Sequence, residues 1–143
     1  MKDKQDLLLI NHGQFGYKAG YYYYAKYLKP DFNITILCQD KGLSIVELKG
    51  VDVKYVSAKG NKIMRKMNWM RNVYVAIKSH KKTNPIFMTY SHHCSIFGLL
   101  FLKRNIILDI RTGSVKSNKY LNLFENKCLL FETLFFQRIT ILS

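Results

Sequence analysis

The stretch Leu7-Leu8-Leu9-Ile10-Asn11-His12-Gly13-Gln14-Phe15-Gly16-Tyr17-Lys18-Ala19-Gly20 decides the fold. It opens on an unbroken apolar run, as a strand covered on both faces does. Three glycines follow, Gly13, Gly16 and Gly20, and let the backbone turn sharply. Beyond them Tyr21, Tyr24, Ala25 and Leu28 recur at i, i+3, i+4 and i+7, one apolar stripe of a helix that Lys29-Pro30-Asp31 stops. That stripe assigns Tyr21 and Tyr24 to the core and leaves Tyr22 and Tyr23 for the surface or a ligand. Strand, glycine turn and helix in this order begin a βαβ unit.

The same alternation continues outward. Five more short apolar runs are read as strands, at Asn33–Cys38, Val51–Ser57, Ile86–Tyr90, Asn105–Ile110 and Ile139–Ser143. A helix is expected over Asn61–Lys82, with Ile63, Met67, Met70, Tyr74 and Ile77 as its buried stripe, and another over Asn118–Gln137, buried through Tyr120, Phe124, Cys128, Phe131 and Phe135. The predicted fold is α/β, a Rossmann-like, doubly wound parallel sheet with helices on both faces, and the 143 residues make one such domain. Strand Ile139–Ser143 ends where another element normally follows, so a further domain is expected after it.

In doubly wound sheets ligands bind beyond the carboxyl ends of the strands, which directs attention to the residues after each run. After the first run come the glycines, Tyr17 and Lys18. Their spacing is neither GxGxxG nor GxxxxGK[ST], so the loop reads as an anion cradle or as a tight turn only. After the fourth run stand His92 and His93, able to hydrogen-bond a sugar or phosphate and to move protons near neutral pH, or simply to cap the strand. His12 and His80 are the other histidines, too few ligands in pattern for a metal site. After the fifth run Asp109 and Arg111 either meet a phosphate or carboxylate or pair with each other.

The chain carries 23 Lys and Arg against 9 Asp and Glu, a net charge of +14, which attracts phosphates of nucleic acid, nucleotide or lipid. Much of it lies in the helix over 61–82. There Lys62, Arg65, Lys66 and Arg71 stand near Trp69, a mixture suited to an anionic membrane surface or to a solvated face. Hydrophobic residues make up 48% of the chain, which excludes disorder. Cys38, Cys94 and Cys128 form no CxxC pair and read as buried small hydrophobes in a reducing compartment. The charged start, Lys2-Asp3-Lys4, is unlike a signal peptide, and no run approaches the roughly 20 apolar residues of a membrane span. A cytoplasmic protein is expected, at most peripheral on the inner face of the plasma membrane.

In sequence order, the glycine-bearing first loop, Tyr90-Ser91-His92-His93, Ile107-Leu108-Asp109-Ile110-Arg111 and Ile139-Thr140-Ile141-Leu142-Ser143 resemble the N-terminal domain of GT-B glycosyltransferases of the family 4 type. The resemblance implies the acceptor-side half of a retaining enzyme, moving sugar from a nucleotide-sugar to a glycan or lipid-linked acceptor, as in bacterial surface polysaccharide synthesis. It implies Gly13 and Gly16 near the donor phosphates, His92 or His93 as catalytic residue, and Tyr17, Lys18, Asp109 and Arg111 at acceptor or phosphate. No metal or other cofactor is implied. The donor-binding half with its paired glutamates would be a separate domain, so these residues alone are expected to be inactive. The rival expectations are a nonenzymatic ligand-binding module of the same fold and a basic nucleic-acid-binding domain, the latter unsupported by any nucleic-acid motif.

Overall fold

A computed structural model describes residues 4–17, 19–91, 93–111 and 119–141. The elements run β1 (Gln5–Asn11), α1 (Ala19–Leu28), β2 (Phe32–Asp40), β3 (Val51–Ser57), α2 (Lys62–Ser79), β4 (Ile86–Thr89), α3 (Ser95–Leu100), β5 (Ile106–Ile110), α4 (Lys119–Thr133) and β6 (Arg138–Ile141). All six expected strands are present, shifted by at most two residues within the described range; Leu142 and Ser143 lie outside it. Pairing sets those edges. Gln5 opposite Phe32 starts β1 and β2 early, and Asp40 opposite Ser57 carries β2 past its apolar run.

The strands form one sheet in the order β3-β2-β1-β4-β5-β6, every pair parallel. From β1 the chain winds outward through β2 to β3. It then crosses by α2 to the other side of β1 and continues through β4 to β6. Because such crossovers are right-handed, reversing direction puts the later helices on the opposite face. Tyr21 and Ala25 of α1 accordingly pack with Leu7, Leu9, Ile34 and Ile36 on one face. On the other face Trp69, Val73 and Ile77 of α2, with Phe97 of α3, cover Leu8, Ile10, Leu37, Ile106 and Leu108. The doubly wound α/β fold with helices on both faces is therefore the fold of this chain, and β1 and β4 flank its switch point.

Two helices turn a different side inward from the one their periodicity suggests. In α2 the buried residues are Trp69, Val73 and Ile77, while Ile63 and Met67 are exposed. This amounts to roughly 80° about the axis at 100° per residue. Trp69 carries the largest apolar surface on the helix, and seating it in the core outweighs exposing flexible methionines. In α4 Tyr120, Phe124 and Phe131 are exposed, and Glu132 is the buried residue. The buried side is fixed by what that carboxylate binds, described below. No helix among the described residues is long and apolar enough to cross a membrane.

The end of α2 sets a pH limit on stability. His80 caps the helix, its N–H donating to the Ala76 carbonyl, and its own carbonyl accepts from the Arg104 guanidinium. Burial, assisted by the Arg104 charge, lowers the His80 pKa below the usual imidazole value. The unfolded chain then takes up a proton at higher pH than the folded one, so stability is full above about pH 6.5 and falls as the pH drops through that value. Thermal melts between pH 7.5 and 5.5 are expected to show a falling midpoint that His80→Gln flattens. An unchanged slope in that variant would assign the acid sensitivity to other groups.

Candidate functional site

The carboxyl edge of the sheet opens into a cleft of about 1190 Å³ on the α2 face. Its floor is the end of β1 and β2. Asn11 there is 1% exposed, its Oδ1 accepts the Gly13 N–H at 3.1 Å, and its Nδ2 has no partner among the described residues. Gln39 is buried beside it. Trp69 forms one wall, with the His12 ring edge-on at 5.4 Å.

Three elements bring positive charge to this cleft: Lys41 follows β2, Lys59 follows β3, and Lys62, Arg65 and Lys66 occupy the first turns of α2. Among the described residues the ion pairs are Lys54 with Asp52 and Arg111 with Asp109, so none of these five cations is paired. Among the described residues the acid on the cleft is Asp40, whose Oδ1 accepts the Gly42 N–H at 2.8 Å. Asn61 caps α2, its side chain accepting the Met64 N–H at 2.9 Å. That helix has no acid in its first turn.

His93 stands at the rim. Its φ is +72°, a left-handed conformation that costs a side-chain-bearing residue of order 1 kcal/mol or more. What holds it is Glu132. This carboxylate, brought in by α4, accepts the His93 N–H at 3.0 Å, the Ser95 N–H at 3.3 Å and the Cys94 thiol at 3.3 Å. Burial, with Glu132 alongside, pushes the Cys94 thiol up to about 12, so it is no nucleophile at neutral pH. Burial and the same carboxylate push the Tyr90 phenol to about 12, which keeps its proton in place near His93.

The residues singled out from sequence divide cleanly. His93, Lys62, Arg65, Lys66 and Trp69 line the cleft; His92 and Lys18 lie outside the described residues. Trp69 is 6% exposed and packs in the core, so it is no membrane contact, and Arg71 is exposed away from the cleft. Gly13 and Gly16 do not line it either. The Gly13 N–H is taken by Asn11, and at Gly16, with φ +89°, a Cβ would fall 2.5 Å from the Val46 side chain. Both glycines thus serve a tight turn packed under the loop after β2, rather than a phosphate. Tyr17 is exposed and equally remote. Gln14 pins this arrangement, its Oε1 accepting the Lys41 and Leu43 N–H groups.

No family model, no curated protein and no solved structure matches this chain.

Asp109 and Arg111 are a structural pair instead of an acceptor site. The Arg111 Nε donates to Asp109 Oδ2 at 2.9 Å, and its guanidinium lies 4.7 Å and 5.2 Å from the ring centres of Tyr21 and Tyr24, on the α1 face. A Cβ on Gly20 would lie 1.6 Å from Arg111 Nη1, so a side chain there would push the guanidinium from its place beside Asp109. Also on that face, a shallow depression of about 550 Å³ is lined by Tyr23, Tyr27, Phe87 and Ile141, with no charged group among the described residues that line it. Sequence reading missed Lys41, Lys59, Asn11 and Glu132. The first three stand at or just after a strand's carboxyl end, where the topology rule directs attention, whereas Glu132 is 38 residues from the thiol it binds and carries no local signal.

Proposed function

We propose that the chain is the acceptor-side domain of a retaining glycosyltransferase, holding a glycan or lipid-linked acceptor for a sugar delivered from a nucleotide-sugar. The observation that supports this best is His93, strained, exposed and fixed at the rim of a donor-rich cleft over the switch point of the sheet. The sequence resemblance to GT-B enzymes points the same way. In retaining transfer the reacting sugar becomes oxocarbenium-like while negative charge develops on the leaving diphosphate. A His93 imidazole can hydrogen-bond an acceptor hydroxyl or the reacting sugar, and nearby cations stabilise the departing oxyanion. Lys62, Arg65 and Lys66, beside the exposed apolar side chains of Ile63 and Met64, also suit work at an anionic membrane face in the cytoplasm.

The test is a panel of neutral oligosaccharides followed by saturation-transfer NMR on the intact chain. At least one is expected to bind, with contacts at His93 and Gln39, and His93→Ala is expected to weaken it on the order of tenfold, one well-placed hydrogen bond. Failure of every saccharide while duplex DNA binds would replace this reading with the nucleic-acid one.

A further inference from the structure

The first turns of α2 break two rules of helix stability. An 18-residue helix presents its positive dipole end there, yet the sequence supplies no acid and three cations, Lys62, Arg65 and Lys66, spaced three and four residues apart. Each is repelled by the dipole and by its neighbours, by a few tenths of a kcal/mol or more apiece at low salt. Local rules are broken in this way at functional sites, where a bound partner supplies what the sequence withholds. What is withheld is negative charge.

The surroundings carry the same sign. Lys41 and Lys59 join the three from separate loops, and none of the five is ion-paired among the described residues. On the floor, Asn11 Nδ2 is a buried N–H donor without a partner there. A donor left unsatisfied at 1% exposure costs on the order of 1–3 kcal/mol, and a ligand oxygen would remove that cost. Lysines from two loops and a helix start fit a compact, multiply charged oxyanion better than a planar carboxylate, for which paired arginines are suited.

We infer that the ligand of this cleft bears a phosphate or diphosphate group, held by Lys41, Lys59, Lys62, Arg65 and Lys66, with Asn11 Nδ2 donating to an oxygen of the same ligand. The inference rests on the cleft being the ligand site of the proposed transferase. It adds that the substrate entering this cleft is recognised through its phosphate.

Calorimetric titration of the intact chain with inorganic pyrophosphate at low salt tests it. Pyrophosphate is expected to bind, and Lys62→Glu/Arg65→Glu to weaken it at least tenfold. Lys82→Glu/Lys103→Glu, with the same change in net charge away from the cleft, is expected to alter it less than twofold. All four positions are exposed, so circular dichroism should show both variants folded. No pyrophosphate binding, or equal loss in the two variants, overturns the inference. So does duplex DNA binding more tightly per phosphate through the same two residues. Vesicles of phosphatidylglycerol that block pyrophosphate in the wild type but bind neither to nor around the cleft variant identify the phosphate as a lipid headgroup; vesicles without effect identify it as a free one. The two readings fail separately. Saccharide contacts at His93 without pyrophosphate binding leave the transferase reading standing and remove this one, whereas pyrophosphate binding without any saccharide does the reverse.

Discussion

Replacing Arg111 by Met lowers the thermal midpoint by on the order of 10 °C, because a carboxylate with no access to solvent then loses its cation. Asp109 is 0% exposed, and among the described residues its remaining side-chain partner is the Thr140 hydroxyl, 3.4 Å from Oδ1. Breaking a buried pair from one side costs about 3–5 kcal/mol, and a domain of this size loses roughly 3 °C per kcal/mol. The guanidinium also gives up its contacts with the rings of Tyr21 and Tyr24. Asp109→Leu is expected to be damaging for the converse reason, since the guanidinium is then left without its anion over the same rings. The double variant Asp109→Leu/Arg111→Met removes both charges together and should be more stable than either single one. Losses that simply add would show that the two side chains act independently and would sink this account.

The strands were legible because β1, β2, β4 and β5 lie inside the sheet, covered on both faces, and read as mostly apolar runs, while the edge strands β3 and β6 alternate apolar with polar residues, a period that a helix does not have. The helix faces were not. Apolar residues surround α2, where Ile63, Met64, Met67, Trp69, Met70, Val73 and Ile77 offer more than one stripe, and the choice is made by which side chain fills the groove over the sheet. In α4 the stripe Tyr120, Phe124, Phe131 has the better spacing, yet Glu132 faces inward, where its carboxylate accepts from three donors at the start of α3.

For the cleft, position was legible and chemistry only partly so. His93 follows a strand at the switch point and lines the cleft as expected. Arg111 was misplaced, although the signal was present. Side chains alternate along β5, so Leu108 and Ile110 turn to the α2 face while Asp109, with Arg111 two residues on, turns to the α1 face, away from the cleft. The basic residues of α2 were read as an outer surface. Rotating the helix to bury Trp69 carries Lys62, Arg65 and Lys66 over the cleft, and this depended on packing that no local pattern encodes.

Glu132→Ala should separate that packing from function. Removing the carboxylate leaves the His93 and Ser95 N–H groups and the Cys94 thiol without their acceptor. With hydrogen bonds to a charged group worth about 1.5–3 kcal/mol and water able to reach exposed His93, a net loss of about 3 kcal/mol is expected. Glu132→Gln keeps one acceptor oxygen and should lose about half as much. The strain at His93 gives a second handle of opposite sign. Glycine adopts a φ of +72° without penalty, so His93→Gly should raise stability by roughly 1 kcal/mol in the wild type. In the Glu132→Ala background the loop no longer has to hold that angle, and the gain should shrink. Denaturant titration of the four proteins checks this directly. If His93→Gly stabilises both backgrounds equally, Glu132 does not fix the backbone of His93, and the carboxylate is only a filler beneath α3.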